Sequence, residues 1–143
     1  MAEKKLEDKR EVLSSLEKWI ENMMNFIFTQ SQQNLIKNRT SDTGFLLKSG
    51  KPPRWERNEC IISYTAPYAL FIEYGTDPHP VDPKKLIGWV KRKLRIHDPE
   101  AFRVAYAVAN KISTVGTDPQ PFLRPAINEA IVKYNLKVRP TEI

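Results

Sequence analysis

The chain has 143 residues, 28% of them charged, and a formal net charge of +6; at this length it buries about two thirds of the surface its unfolded form exposes, so it needs no staples and reads as one domain, 1–143. Its single cysteine, Cys60, excludes an intrachain disulfide. The charged start MAEKKLEDKREV lacks the apolar stretch of a secretory signal, and the richest apolar run nearby, MMNFIF at 23–28, is far short of the ~18 residues of a membrane span, which predicts a soluble, cytoplasmic protein with no membrane partner.

Residues 1–37 are expected to form one long helix, from about Lys5 to Ile36. Leu6, Leu13, Ile20 and Ile27 recur every seven residues, joined by Leu16 and Met23. Val12, Trp19 and Phe26 repeat beside them and widen the stripe beyond a minimal coiled-coil seam. At ~1.5 Å per residue such a helix approaches 50 Å, longer than a globule of this size needs. Two readings stay open: part of it packs on a neighbouring subunit, or it bends over its own domain as a core helix.

NRTSDTG (38–44) reads as a polar loop, FLLKS (45–49) as extended, and SGKPPR as a break, because two prolines remove donors and fix the backbone. RNECIISY (57–64) resumes an extended pattern, with Cys60, Ile62 and Tyr64 on one face and Ile61 and Ser63 on the other, so a small antiparallel hairpin or meander is expected. FIEYGTDPHP (71–80) gathers Glu73, Tyr74, Thr76, Asp77 and His79 around Gly75, as a catalytic loop would. Read as a corner, it anchors Phe71 and Ile72 in the core, turns at Gly75 and is stiffened by Pro78 and Pro80.

Asp-Pro pairs at 77, 82, 98 and 118 punctuate the later half. Asp82 and Asp98 are expected to cap helices, since aspartate accepts from the first free N–H groups and a following proline loses nothing there. The first helix runs to about Arg95 and the second to about Thr114, with Ala101, Ala105, Val108, Ala109 and Ile112 on one close-packing face. TVGTDPQ (114–120) is a turn. A last helix follows from about Pro121, with Pro125 in its first turn. No internal repeat stands out. The fold class is therefore α+β: a long N-terminal helix, a small antiparallel sheet and three helices in the C-terminal half.

KKLIGWVKRKLR (84–95) holds six basic residues and no acidic one, so the other 17 basic residues match the 17 acidic ones and the excess charge lies in one segment. On a helical wheel Lys84, Lys85, Lys91, Arg92 and Arg95 share one arc, opposite Leu86, Ile87, Trp89, Val90 and Leu94. That face fits nucleic-acid phosphates or an acidic protein surface, and a merely solvated face is the plain alternative. His79 and His97 lie 18 residues apart with no HExxH motif, paired cysteines or clustered carboxylates, so no metal or cofactor is expected. Neither a nucleophile motif nor a phosphate loop is present, so no enzyme activity is expected either; Cys60 with a histidine, or Glu73 with Asp77 and His79, are the reactive groupings to weigh.

In order, the chain carries DTGFLLKS (42–49), APYALFIEYGTDPHPV (66–81), LIGWVKRKL (86–94), a small-residue helix and GTDPQPFLRPAINEA (116–130). This series resembles the tail-completion or neck proteins of long-tailed phages, the lambda gpZ type of minor tail component, over about Asp42 to Ala130. By match to the family's motifs, the residues carried over are Thr43, Gly44, Leu46 and Ser49; Tyr68, Ala69, Ile72, Glu73, Tyr74, Gly75 and Thr76; and Pro121, Phe122, Leu123, Arg124, Pro125 and Ala126. They look like determinants of fold and assembly, none of them catalytic. The resemblance implies a virion protein of the head–tail junction, assembled in the host cytoplasm. As a homo-oligomeric ring, expected to be a hexamer, it would join the connector or head-closure protein to the tail terminator or tube, with genomic DNA in the lumen. A tail terminator ring and a small basic nucleic-acid-binding domain are the alternatives. SGKPPRWER departs from the longer hairpin that the family leads one to expect, and residues 135–143 match nothing, a possible arm ordering against a neighbour. On this reading Glu73 accepts hydrogen bonds from loop N–H groups or from an arginine, with Arg124 the candidate.

Overall fold

The computed structural model describes residues 2–38 and 44–137. The fold is α+β. Helix α1 spans Ala2–Asn38, α2 Phe45–Lys48, strand β1 Gly50–Glu56, β2 Glu59–Tyr64, α3 Ala69–Tyr74 and α4 Pro83–Trp89, which passes into a π-helical turn over Val90–Leu94; α5 covers Glu100–Val115 and α6 Leu123–Lys133. None of the described helices is long and apolar enough to cross a membrane.

Helix α1 is the axis on which the rest is laid. Its second half carries Ile27, Ser31 and Leu35 at four-residue spacing, all buried, because positions four apart share one face. Ile27 packs with Ala126 and Ala130 of α6, and Leu35 packs with Leu46, Ala66 and Phe122. Polar side chains on the same face fix the height of the neighbouring chain. The Asn34 Nδ2 donates to the Phe122 carbonyl at 3.0 Å, Gln32 Nε2 to Tyr64 Oη at 2.8 Å, and Ser31 Oγ lies 2.6 Å from that hydroxyl. A third cluster joins Val90 to Ala101 and Ala105; the alanines let α5 approach the α4 unit closely, as their small-residue face predicts.

The expected hairpin forms, in a different place from its predicted first half. FLLK is a single helical turn, and the partner of β2 is GKPPRWE, the segment whose prolines argue for a break. The ladder pairs Gly50 with Tyr64 and Lys51 with Ser63, then resumes at Arg54 with Ile61, with a register shift between Lys51 and Arg54. Pro52 and Pro53 occupy that irregularity, on a two-stranded ribbon where no central strand needs their missing N–H groups.

The helix starts are half as predicted. Asp82 caps α4, its Oδ1 accepting from the Lys84 N–H at 3.0 Å, with Pro83 at the first position. Asp98 is not the cap of α5. The residue before α5 is Pro99 with no side-chain cap, and Asp98 instead receives Lys91 Nζ at 2.6 Å. Helix α6 begins at Leu123, so Pro125 is its third residue and stands in the first turn, where its missing N–H breaks no intrahelical bond. The loop at 39–43 and the proposed arm beyond 137 lie outside the described residues.

Candidate functional site

FIEY forms the last four residues of a six-residue helix, α3, and the chain turns at Gly75 (φ 74°) directly after it. Three and four residues apart on it, Ala69, Ile72 and Glu73 turn inward, while Leu70, Phe71 and Tyr74 turn out; Phe71, expected in the core, is 56% exposed, against 5% for Glu73. Buried carboxylates persist only where hydrogen bonds replace water. Glu73 has four: Oε2 accepts from the Phe122 N–H (2.8 Å) and the Leu123 N–H (3.0 Å), and Oε1 accepts from the Arg124 N–H (2.8 Å) and from Arg124 Nε (3.1 Å). A carboxylate offers about four acceptor positions, so Glu73 is saturated.

Its donors are the free N–H groups at the start of α6, which carry the positive end of that helix. The arrangement is reciprocal. The last carbonyls of α3, which have no partner within their own helix, accept from α6 and the loop before it: Arg124 Nη2 donates to the Glu73 carbonyl at 2.7 Å and the Gln120 N–H to the Ile72 carbonyl at 2.8 Å. The Arg124 guanidinium also lies over the Tyr74 ring, 4.4 Å from its centroid. Burial alone would raise the Glu73 pKa; the N–H groups of Leu123, Phe122 and Arg124, with the Arg124 side chain, outweigh it and hold the carboxyl below the usual glutamate value. The Arg124 partnership anticipated from sequence is present, and the backbone donors carry most of it.

Beside this pair stands a second device that the sequence reading missed. Gly-Thr-Asp-Pro occurs twice, at 75–78 and 116–119, and the two copies face each other as an isolated antiparallel bridge. Thr76 and Thr117 exchange both backbone bonds, at 3.0 and 3.1 Å, and their hydroxyls meet at 2.8 Å. Gly75 and Gly116 both have φ near +74°; a Cβ on Gly75 would lie 2.5 Å from the Thr117 carbonyl oxygen, and one on Gly116 would strike the Thr76 carbonyl. Each copy needs its glycine so that the other can approach. The repeated tetrapeptide was the available signal.

The remaining motif residues surround this corner. Leu46 is fully buried, Gly44 (φ 79°) starts α2, and Ser49 Oγ donates to the Leu46 carbonyl at 2.7 Å. Phe122 sits on Tyr64, ring centroids 4.9 Å apart, Ala126 is buried, and the Pro121 carbonyl accepts from Asn38 Nδ2 at 3.2 Å. Tyr68, 38% exposed, leans on Phe45 at the surface. Thr43 lies outside the described residues.

Lys84, Lys85, Lys91, Arg92 and Arg95 are all exposed, opposite Leu86, Ile87, Trp89 and Val90, which pack on α5. The arc is not uniformly cationic, since Asp98 pairs with Lys91. Arg95 stands at the end of the π turn with φ 53°, so its backbone leaves the wheel on which the sequence placed it.

The reactive groupings do not assemble. His79 Nδ1 lies 2.8 Å from the Asp77 carbonyl oxygen, in a cavity of about 390 Å³ lined with Tyr68, Ile72 and Trp89, while Glu73 is locked to α6. Cys60 opens on a different, apolar groove of about 440 Å³ between α1, β2 and α6, and burial first, then the charge of Glu21, pushes its thiol pKa up, away from a nucleophile's requirement. Among the described residues no group of three His, Cys, Asp or Glu side chains is placed to hold a metal. No family model, curated protein or solved structure matches the chain.

Proposed function

We propose that this chain is a structural component of the head–tail junction of a long-tailed phage, a tail-completion protein that acts as a ring between the connector and the tail. The observation that carries the reading is the two-sidedness of the YALFIEYGT segment. Its inner side, Glu73 and Ile72, grips the start of PFLRPA, while Tyr68, Leu70, Phe71 and Tyr74 stand 38–64% exposed on the outer side. Apolar and aromatic side chains grouped on a surface mark a protein contact more often than a solvated face. The two most distinctive motifs of the series thus meet in space, and together they present an apolar ridge to a neighbour. A ring follows when one such heterologous contact repeats and closes by rotation.

In this reading the basic face of 84–95 turns toward the DNA path or an adjacent ring. Mass photometry and cryo-EM of the protein, alone and with connector and tail, test the proposal: a closed ring is expected, with this chain placed in the neck density. Phe71→Glu should fold and fail to enter the ring. A monomer under all of these conditions would sink the reading. The exposed Lys84, Lys85, Arg92 and Arg95 favour, as a second reading, a free-standing nucleic-acid-binding domain. Its mark would be DNA or RNA binding whose logarithm falls steeply with salt, a slope that replacing Lys91, Arg92 and Arg95 together lowers by about 2–3.

A further inference from the structure

An apolar stripe runs along α1 from Leu6 to Ile27, interrupted at Lys9, but the chain covers only part of it. At Met23, Phe26 and Ile27 the stripe lies against α6, and Tyr134, just past its end, takes the edges of Trp19 and Phe26 at 6.0 and 6.1 Å. Helix α6 stops at Lys133. Upstream of that point Leu6, Val12, Leu13 and Leu16 stand 49–67% exposed, on a helix whose residues 2–18 are all exposed.

We infer that a second copy of this chain covers the stripe, its α1 running antiparallel to the first, with Leu13 of each copy against the partner's Leu16. The charges along the seam select this occupant and this register. In a seven-residue repeat with Leu6, Leu13 and Ile20 at the first seam position, the fourth is held by Lys9 and Leu16 before Met23, which α6 covers, and the flanks by Lys5, Val12 and Trp19 on one side and Arg10 and Glu17 on the other. A parallel pair stacks Lys9 on the partner's Lys9 inside the seam and sets Lys5 beside the partner's Arg10. An antiparallel pair centred between Ser14 and Ser15 brings Arg10 to the partner's Glu17 and Val12 to the partner's Trp19, each twice. Lys9 then lies along the partner's Ile20, where its stem covers apolar surface and its ammonium reaches water. Sliding by one repeat in either direction opposes Arg10 to the partner's Arg10 or Glu17 to the partner's Glu17. Flank charges set orientation and register in paired helices, and here they agree with the apolar order in one arrangement, which is self-complementary. That self-complementarity points to a second copy rather than to an unrelated protein. The inference concerns the free protein and does not depend on the neck assignment.

Crosslinking tests it in a Cys60→Ala background. Leu13→Cys and Leu16→Cys variants, carrying different affinity tags, are mixed and oxidised. The expected product is the mixed disulfide, in clear excess over either self-linked product. Predominant Leu13→Cys self-linking would mean a parallel pair, and no linking, with monomer mass by light scattering, would mean no pair; either result overturns the inference. Charge reversal gives an independent reading. Arg10→Glu or Glu17→Arg alone should weaken self-association by about tenfold, and the double variant should return it to within a few-fold of the parent. Circular dichroism shows whether each variant keeps its helix, and a double variant that stays helical but is no better than the singles would also overturn the inference.

Discussion

The Glu73 corner and the first half of α1 treat their surfaces in opposite ways. At the corner the unpaired ends of two helices, α3 and α6, satisfy each other: one carboxylate takes three backbone N–H groups and a guanidinium, and that guanidinium returns to the carbonyl of the same glutamate. Along residues 2–18 of α1, the N-terminal arm of the fold, Leu6, Val12, Leu13 and Leu16 stay in water. The lesson is that the two regions carry different information. The corner specifies a shape within the chain, and the arm is the surface that the inferred second copy would cover, so damage to the first should appear as lost stability and damage to the second as lost association.

Removing the Glu73 carboxylate is the largest expected blow to that distinction. Glu73→Ala leaves three N–H donors and a half-exposed arginine without their acceptor, which should cost about 3 kcal/mol or more of unfolding free energy in a denaturant titration. Glu73→Gln is no conservative change here, because one of its two terminal atoms becomes a donor facing donors; about 2 kcal/mol is expected. If either variant unfolds with the parental midpoint, the corner is not what holds α6 in place.

Gly116→Ala comes next. At φ 73° a side chain is strained in itself, and its Cβ meets the Thr76 carbonyl, backbone that has no room to yield within the Thr76–Thr117 bridge. About 2 kcal/mol should be lost. Gly75→Ala should behave alike, because the facing Thr117 carbonyl stands 2.5 Å from where its Cβ would be. A tolerated alanine at both positions would mean that the paired Gly-Thr-Asp-Pro segments are incidental.

Acid should separate the regions too. The Glu73 pKa is lowered in the folded protein, so the glutamate contributes stability that is fully present above the ordinary carboxylate pKa and is lost as pH falls through the lowered value. The unfolding free energy measured from neutral pH downward should therefore decline over that acidic interval. The same titration of Glu73→Gln should be flatter there, since that site no longer takes up a proton.

Much of this was legible in the residues, and the failures have common causes. The α1 period, the β2 alternation and the Asp82 cap each express a rule local to one element. The Glu73–Arg124 contact was legible because a buried acid and a helix-start arginine are chemically complementary. FLLK looks extended and ALFIEY looks like part of a corner in sequence because four and six residues are too few to display a 3.6-residue period. Pro52 and Pro53 argued against a strand on the rule for central strands, whereas β1 is one of only two strands in its sheet and bulges where they stand. Asp98 failed as a cap because a competing partner, Lys91, comes from another turn of the chain. The paired Gly-Thr-Asp-Pro segments were in plain view, but only tertiary structure says that two copies of a turn sequence face each other.

The smallest expected effect is also the one that tells most about the arm. Leu13→Ala, at a site 58% exposed in the free chain, should leave the intrinsic stability of the body within about 0.5 kcal/mol of the parent, because alanine favours the helix and no packed contact is lost. What should change is the dependence on protein concentration. If a second copy binds the folded arm and not the unfolded chain, the parent's unfolding temperature rises as protein concentration is raised, by mass action. In Leu13→Ala that rise should be smaller, and in Leu13→Glu it should vanish while the dilute limit stays where it was. A dilute-limit loss as large as that of Gly116→Ala would place Leu13 in the chain's own core and erase the division between corner and arm.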